Sequence, residues 1–164
     1  MKPAEDLAAA AAEMAADYEA AGEERADLAD IPAYVERCRR YDRGAVPKGH
    51  VPATTYWLVR DRDGALLGTC RLRHRLNEGL WQDGGHIGYD VRPSCRNRGY
   101  ATEMLALALG EARGQGLEWV LLTVAPANQP SIRVIEKNGG ERIGTAEESG
   151  YLQFRIRLQP APEA

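Results

Sequence analysis

Residues 91–105 read VRPSCRNRGYATEML, and this stretch decides the fold. An extended apolar segment, His86 to Val91, breaks at Arg92-Pro93, and a long helix follows from about Gly99 to Gln115. The first backbone N–H groups of a helix have no intrahelical acceptor. With the helix macrodipole they favour an anion. Arg96 and Arg98 add two cations, and Gly99 removes the side chain that would keep a diphosphate away from the main chain. The plainer alternative is an ordinary strand-to-helix turn.

Residues 128–140, NQPSIRVIEKNGG, form a second unit of the same kind after a strand over Glu118 to Val124. Asn128 reads as a helix cap, Pro130 as a first-turn residue and Asn138-Gly139-Gly140 as a helix stop.

The order Arg96-Asn97-Arg98-Gly99-Tyr100-Ala101 resembles the acyl-CoA pyrophosphate loop of the GNAT superfamily of N-acetyltransferases, whose pattern is Gln/Arg-x-x-Gly-x-Gly/Ala. Residues 128–140 resemble the second cofactor-binding segment of the same superfamily, in the right order and spacing. The resemblance spans about Tyr56 to Phe154. It implies a GNAT fold of the α/β (α+β mixed) class: a central mixed, mostly antiparallel sheet flanked by helices, with splayed central strands. It also implies acetyl-CoA as acyl donor, no metal, and direct attack by a primary amine in a ternary complex. By the same resemblance Arg96, Arg98, Gly99, Tyr100 and Ala101 bind pyrophosphate, and Asn128 and Ser131 contact the cofactor from the other side. Val91, on the splayed strand with Tyr89, offers backbone groups to the pantetheine and the thioester oxygen.

An ammonium cannot attack a carbonyl, so a base or a water relay must take its proton. His86 is the first candidate, at a place where many members of the superfamily carry a glutamate base, and imidazole has a suitable ordinary pKa. The alternative is a histidine that hydrogen-bonds across the turn. His74 is the second candidate; it shares a strand face with Leu72 and Leu76, which equally suits a buried core histidine. Glu78 and His50 are weaker options. The alternate face of that strand carries Arg71, Arg73 and Arg75, which suit either an acidic acceptor group or a solvated face. One departure stands out: Ile135 occupies the position where the superfamily often has a tyrosine that protonates the departing thiolate. Tyr89, Tyr100 and Tyr151 are the other hydroxyl donors to weigh. The strings GGHIGYDVRP and RLRHRLN resemble a branch of predicted acetyltransferases without an assigned acceptor, which leaves a small molecule or a peptide amine open.

The chain has 164 residues, 44% hydrophobic and 27% charged, the make-up of one domain with a core. Residues 1–158 are expected to form a single acyltransferase domain and 159–164 a disordered tail. The net charge of −3 argues against nucleic acid. No apolar run is long enough for a bilayer and no signal-peptide pattern opens the chain, so a cytoplasmic location is expected. Cys38, Cys70 and Cys95 show no metal spacing and leave an odd number for disulfides, so they read as free thiols. Acidic side chains are concentrated in residues 1–42, which suits a cationic acceptor or solvated helix faces. Two rival functions remain at this level: an acyl-CoA-binding sensor or partner domain without catalysis, and a nucleotide-binding domain of another kind. The latter lacks both the P-loop and the three-glycine fingerprints.

The pattern predicts helices at Ala4–Ala21 and from Asp30 to about Tyr41, and strands at Thr55–Arg60, Leu66–Leu76 and His86–Val91. It adds the Gly99–Gln115 helix, strand Glu118–Val124, the Asn128 helix and strands near Glu141–Ile143 and Tyr151–Leu158. The superfamily usually begins with a strand, for which Met1 to Asp6 leaves almost no room. The exposed sheet edge this implies suits pairing with another subunit, so a homodimer is an expectation.

Overall fold

The computed structural model describes residues 1–158. The segment 159–164, read as a disordered tail, lies outside the described residues. After a 3₁₀ turn at Glu5–Leu7 come α1 (Ala8–Ala20), a second 3₁₀ turn at Ala26–Leu28, and α2 (Ile31–Asp42). Then follow β1 (Ala53–Val59), β2 (Leu66–Arg73), α3 (Glu78–Gln82), β3 (Ile87–Val91) and a 3₁₀ turn at Pro93–Cys95. The chain continues through α4 (Tyr100–Gly114), β4 (Trp119–Val124), α5 (Gln129–Lys137), β5 (Glu141–Thr145) and β6 (Leu152–Arg157).

The strands form two antiparallel sheets, β1-β2-β3 and β4-β6-β5. No ladder joins β3 to β4. The residues just before β3 couple them: the His86 N–H donates to the Leu121 carbonyl at 2.7 Å, the Leu121 N–H donates to His86 Nδ1 at 2.9 Å, and the Gly84 N–H donates to Thr123 Oγ1 at 2.7 Å. From that junction the two strands part, which is the splay expected of the fold. Gly85 makes the junction possible. Its φ is +57°, and a Cβ there would lie 2.4 Å from the Leu121 carbonyl oxygen.

Helices cover both faces. On one face α4 and α5 close a core containing Leu72, Leu105, Val120, Leu122, Ile135 and Phe154. On the other, α1 and α2 bury Met14, Tyr18, Val35 and Trp57, with Tyr34 stacked on Trp57 at 5.7 Å. In α1 the buried residues are Ala11, Met14 and Tyr18, the i, i+3, i+7 stripe of a helix with one apolar seam. Asp30 caps α2 by accepting from the Ala33 N–H at 3.0 Å, with Pro32 in the first turn.

Three expectations need correction. Strand β2 ends at Arg73, not Leu76, because Asn77 caps the short α3 by accepting from the Leu80 N–H at 3.0 Å. His74 therefore lies beyond the strand. At the outer edge of β1 the Met1 nitrogen donates to the Trp57 carbonyl (2.9 Å) and the Met1 carbonyl accepts from the Trp57 N–H (2.7 Å). The edge of β1 is thus partly closed by the chain itself.

Candidate active site

The two sequence motifs meet at one cleft of about 620 Å³. Tyr89 and Val91 line it from β3, Arg96, Gly99, Tyr100, Ala101 and Thr102 from the loop and α4, and Asn128, Ser131, Arg133 and Lys137 from α5. The cleft opens beside the edge of β3 that β2 leaves uncovered. A smaller cavity of about 300 Å³ between β1 and α4 holds none of the motif residues.

The backbone of β3 is prepared for a ligand by its register. Gly68 faces Val91 and Leu72 faces Ile87, flanked by the bonds Arg92 N–H to Leu67 (2.9 Å) and Arg73 N–H to His86 (2.7 Å). These are non-hydrogen-bonded pairs, so Ile87, Tyr89 and Val91 turn their N–H and C=O groups away from β2, toward the splay. One of these groups is already used: the Val91 carbonyl accepts from Arg96 Nε at 3.0 Å.

The first turn of α4 is the second prepared element. Asp30, Asn77 and Asn128 cap α2, α3 and α5 with their side chains, whereas Gly99 leaves α4 without a side-chain cap. The N–H groups of Tyr100, Ala101 and Thr102 therefore precede the first intrahelical bond, Glu103 N–H to Gly99 at 3.1 Å, with no side chain in their way. Gly99 has φ +85° and no atom within 4 Å of a Cβ position, so its conformation, more than space inside the protein, demands glycine.

Arg96 differs from its expected role. Both terminal nitrogens bind Glu23, at 2.6 and 2.7 Å, and Nη2 also lies 3.7 Å from Asp90. With Nε on Val91, three of its five N–H donors are bound to the protein and its charge is paired with Glu23, so it braces the loop from the cleft wall. Asp17 reinforces the brace by accepting from the Ser94 N–H (2.9 Å) and Arg92 Nε (3.2 Å). Arg98 is exposed and lies outside the residues that line the cleft. Asn128 spends its side-chain oxygen on the Ser131 N–H at 3.2 Å, and Ser131 Oγ lies 2.7 Å from the Tyr89 hydroxyl. Ile135 is 1% exposed and packed in the core.

His86 takes the plainer of its two readings, a histidine that hydrogen-bonds across the strand junction. His86 is 4% exposed, stands edge-on to Trp119 at 5.5 Å, and accepts through Nδ1 from the Leu121 N–H. The neutral ring must then carry its proton on Nε2, leaving no free lone pair to receive one. Burial, with the Arg73 guanidinium adding to it, lowers its pKa to about 4. This arrangement suits a pin between β3 and β4 and does not suit a general base. Between pH 6.5 and about 4 the unfolded chain binds a proton that the folded chain refuses, so stability is full above this window and falls as pH drops through it. The slope is at most about 1.4 kcal/mol per pH unit. We expect His86→Gln to reduce stability at pH 7 and to flatten the dependence of the thermal midpoint between pH 6.5 and 5, measured by calorimetry.

His74 Nε2 lies 2.8 Å from Thr54 Oγ1, which donates to Asp42 at 2.6 Å. This chain is anchored at the β1 edge, and His74 is not among the cleft-lining residues. His50 is bound to the Tyr41 hydroxyl at 2.6 Å, and Glu78 opens α3. All three cysteines are free and buried, and burial pushes the Cys70 thiol up to about 12. Among the described residues no His, Cys, Asp and Glu cluster could hold a metal, and no helix is long and apolar enough to cross a membrane.

A family model described as "Acetyltransferase (GNAT) domain" matches residues 1–141. The chain belongs to the GNAT acetyltransferase family. It is accordingly an acetyl-CoA-dependent N-acetyltransferase. Solved structures share the GNAT fold. The ribosomal-protein-S5-alanine acetyltransferase of Vibrio fischeri aligns over 97% of this chain and 91% of its own, at 14% identity and TM-score 0.71. RimJ of Mycobacterium smegmatis, solved with CoA-disulfide, aligns over 97% and 81%, at 19% identity and TM-score 0.69. The yncA protein of Salmonella typhimurium, solved with its cofactor acetyl-CoA, aligns over 96% and 94%, at 18% identity and TM-score 0.61. No curated protein sequence matches the chain significantly.

Arg133 and Lys137, which line this cleft, escaped the sequence reading. Their signal was present: they stand four apart on α5, one turn along a single face.

Proposed function

We propose that the enzyme transfers the acetyl group of acetyl-CoA to the primary amine of a small molecule or a peptide by direct attack in a ternary complex. The observation that carries this reading is the convergence, in one cleft, of the uncapped first turn of α4 with the free edge of β3. The uncapped N–H groups suit a diphosphate. The outward-turned N–H of Val91 or Tyr89 suits the oxygen on which charge develops as the tetrahedral intermediate forms. The amine nitrogen bonds to the carbonyl carbon, the carbon–sulfur bond breaks, and the amine loses its proton to water. Holding the partners in near-attack geometry supplies roughly 7–11 kcal/mol of the acceleration.

Of the three tyrosines weighed as thiolate donors, Tyr89 is the best placed. It lies on the splayed strand, lines the cleft and is hydrogen-bonded to Ser131. Burial raises its pKa above the ordinary 10, so the hydroxyl stays protonated at neutral pH and serves as a donor. Tyr89→Phe is expected to lower kcat by about tenfold or more, with acetyl-CoA affinity nearly unchanged; rapid-quench turnover and titration calorimetry check the two halves.

The acceptor is tested by following thiol release from acetyl-CoA across a panel of amines and peptides. Release that depends on the amine supports the reading. Tight acetyl-CoA binding with only background hydrolysis for every acceptor would favour a non-catalytic binding domain. A homodimer remains part of the proposal, to be checked by sedimentation, since Met1 closes only part of the β1 edge.

A further inference from the structure

The donor carries three phosphate groups, and Arg96, the cation that its motif puts forward, is already neutralised by Glu23. Opposite the first turn of α4 stand Arg133 and Lys137, both exposed, both lining the cleft, and neither paired with a carboxylate among the described residues. They lie one helical turn apart, a like-charge pair that costs the isolated helix a few tenths of a kcal/mol. Lys137 in the last turn suits the helix C-terminus, and with Arg133 at the rim of the cleft it also suits an anion held between them.

The order of residues along α5 suggests which anion. Ser131 meets the Tyr89 hydroxyl at the strand end of the cleft. Asn138 reaches the other helix, donating from Nδ2 to the Thr102 carbonyl at 3.2 Å, so the last turn of α5 lies against the first turn of α4. With a pantetheine along β3 and a diphosphate on the N–H groups of Tyr100 to Thr102, the ribose would extend toward the Lys137 end of the cleft.

We propose that Arg133 and Lys137 clamp the 3′-phosphate monoester of CoA and make the enzyme selective for CoA over its 3′-dephospho form. The inference rests on the reading of this cleft as the donor site. Two charge-assisted contacts to a dianion are worth roughly tenfold or more in affinity.

The test is titration calorimetry of the full chain with CoA and with 3′-dephospho-CoA, for the wild type, Arg133→Gln/Lys137→Gln and Arg133→Lys. The wild type is expected to prefer CoA by at least about tenfold. The double variant should bind the two ligands within about threefold, with its affinity for dephospho-CoA unchanged. Arg133→Lys should retain most of the preference. Equal affinities in the wild type, or a preference that survives in the double variant, would overturn the clamp while leaving the donor site intact. Failure of the wild type to bind either ligand would instead overturn the donor-site reading beneath it. Exposure of both side chains means that folding of the variants is not at risk, and matching circular dichroism melts will verify it.

Discussion

Replacing Gly85 with alanine is expected to lower the thermal midpoint by roughly 5–15 °C, given about 2–4 °C per kcal/mol for a domain of this size. Two independent costs add. Gly85 has φ +57°, where an L side chain costs about 1–2 kcal/mol. The new Cβ would also lie 2.4 Å from the Leu121 oxygen and 2.9 Å from its carbon. Both are backbone atoms of β4, so relief requires the strand to move, at roughly 1–3 kcal/mol. The movement would open the junction at which His86 and Leu121 exchange hydrogen bonds. Gly110→Ala is the control: nothing lies within 4 Å of its Cβ position, and a glycine replaced inside a helix should gain about 0.5–1 kcal/mol. Thermal melts followed by circular dichroism compare the two. A Gly85→Ala melt equal to wild type would mean that the close approach of the strands does not fix the splay.

Ala101→Glu should separate stability from binding. Ala101 is in the first turn of α4 and lines the cleft. A carboxylate there interacts favourably with the helix N-terminus, by about 0.3–1 kcal/mol, so the thermal midpoint should hold or rise. The same carboxylate would occupy the anion site and repel a diphosphate at about 1–4 kcal/mol per close charge pair. Acetyl-CoA affinity should fall roughly 100-fold or more. Calorimetry with acetyl-CoA and a melt on the same preparation measure both effects. Unchanged affinity would place the phosphates away from α4.

The elements that line the cleft were legible in the sequence because their signals are local. Asn128 and Pro130 announce α5, and Gly99 after Arg96-Asn97-Arg98 announces the start of α4. The short α3 carried a signal too, Asn77 as its cap, but at five residues it has little periodicity to read. The roles of charged and titratable side chains were less legible because they depend on distant partners. Arg96 is committed by Glu23, 73 residues earlier in the chain, and His86 by Leu121, 35 residues later. Neither spacing leaves a mark in a single sequence. His74 was assigned to a strand face that ends one residue before it, since the run Leu66–Leu76 alternates in hydrophobicity past the point where pairing stops at Arg73.

Hydrogen exchange with mass spectrometry, with and without saturating acetyl-CoA, tests the central claim most directly. The account predicts added protection in peptides covering Ile87–Val91, Asn97–Glu103 and Asn128–Lys137, and little change in β5 or the Asp61–Gly64 turn. Protection absent from the first two segments, or confined to the cavity between β1 and α4, would contradict it.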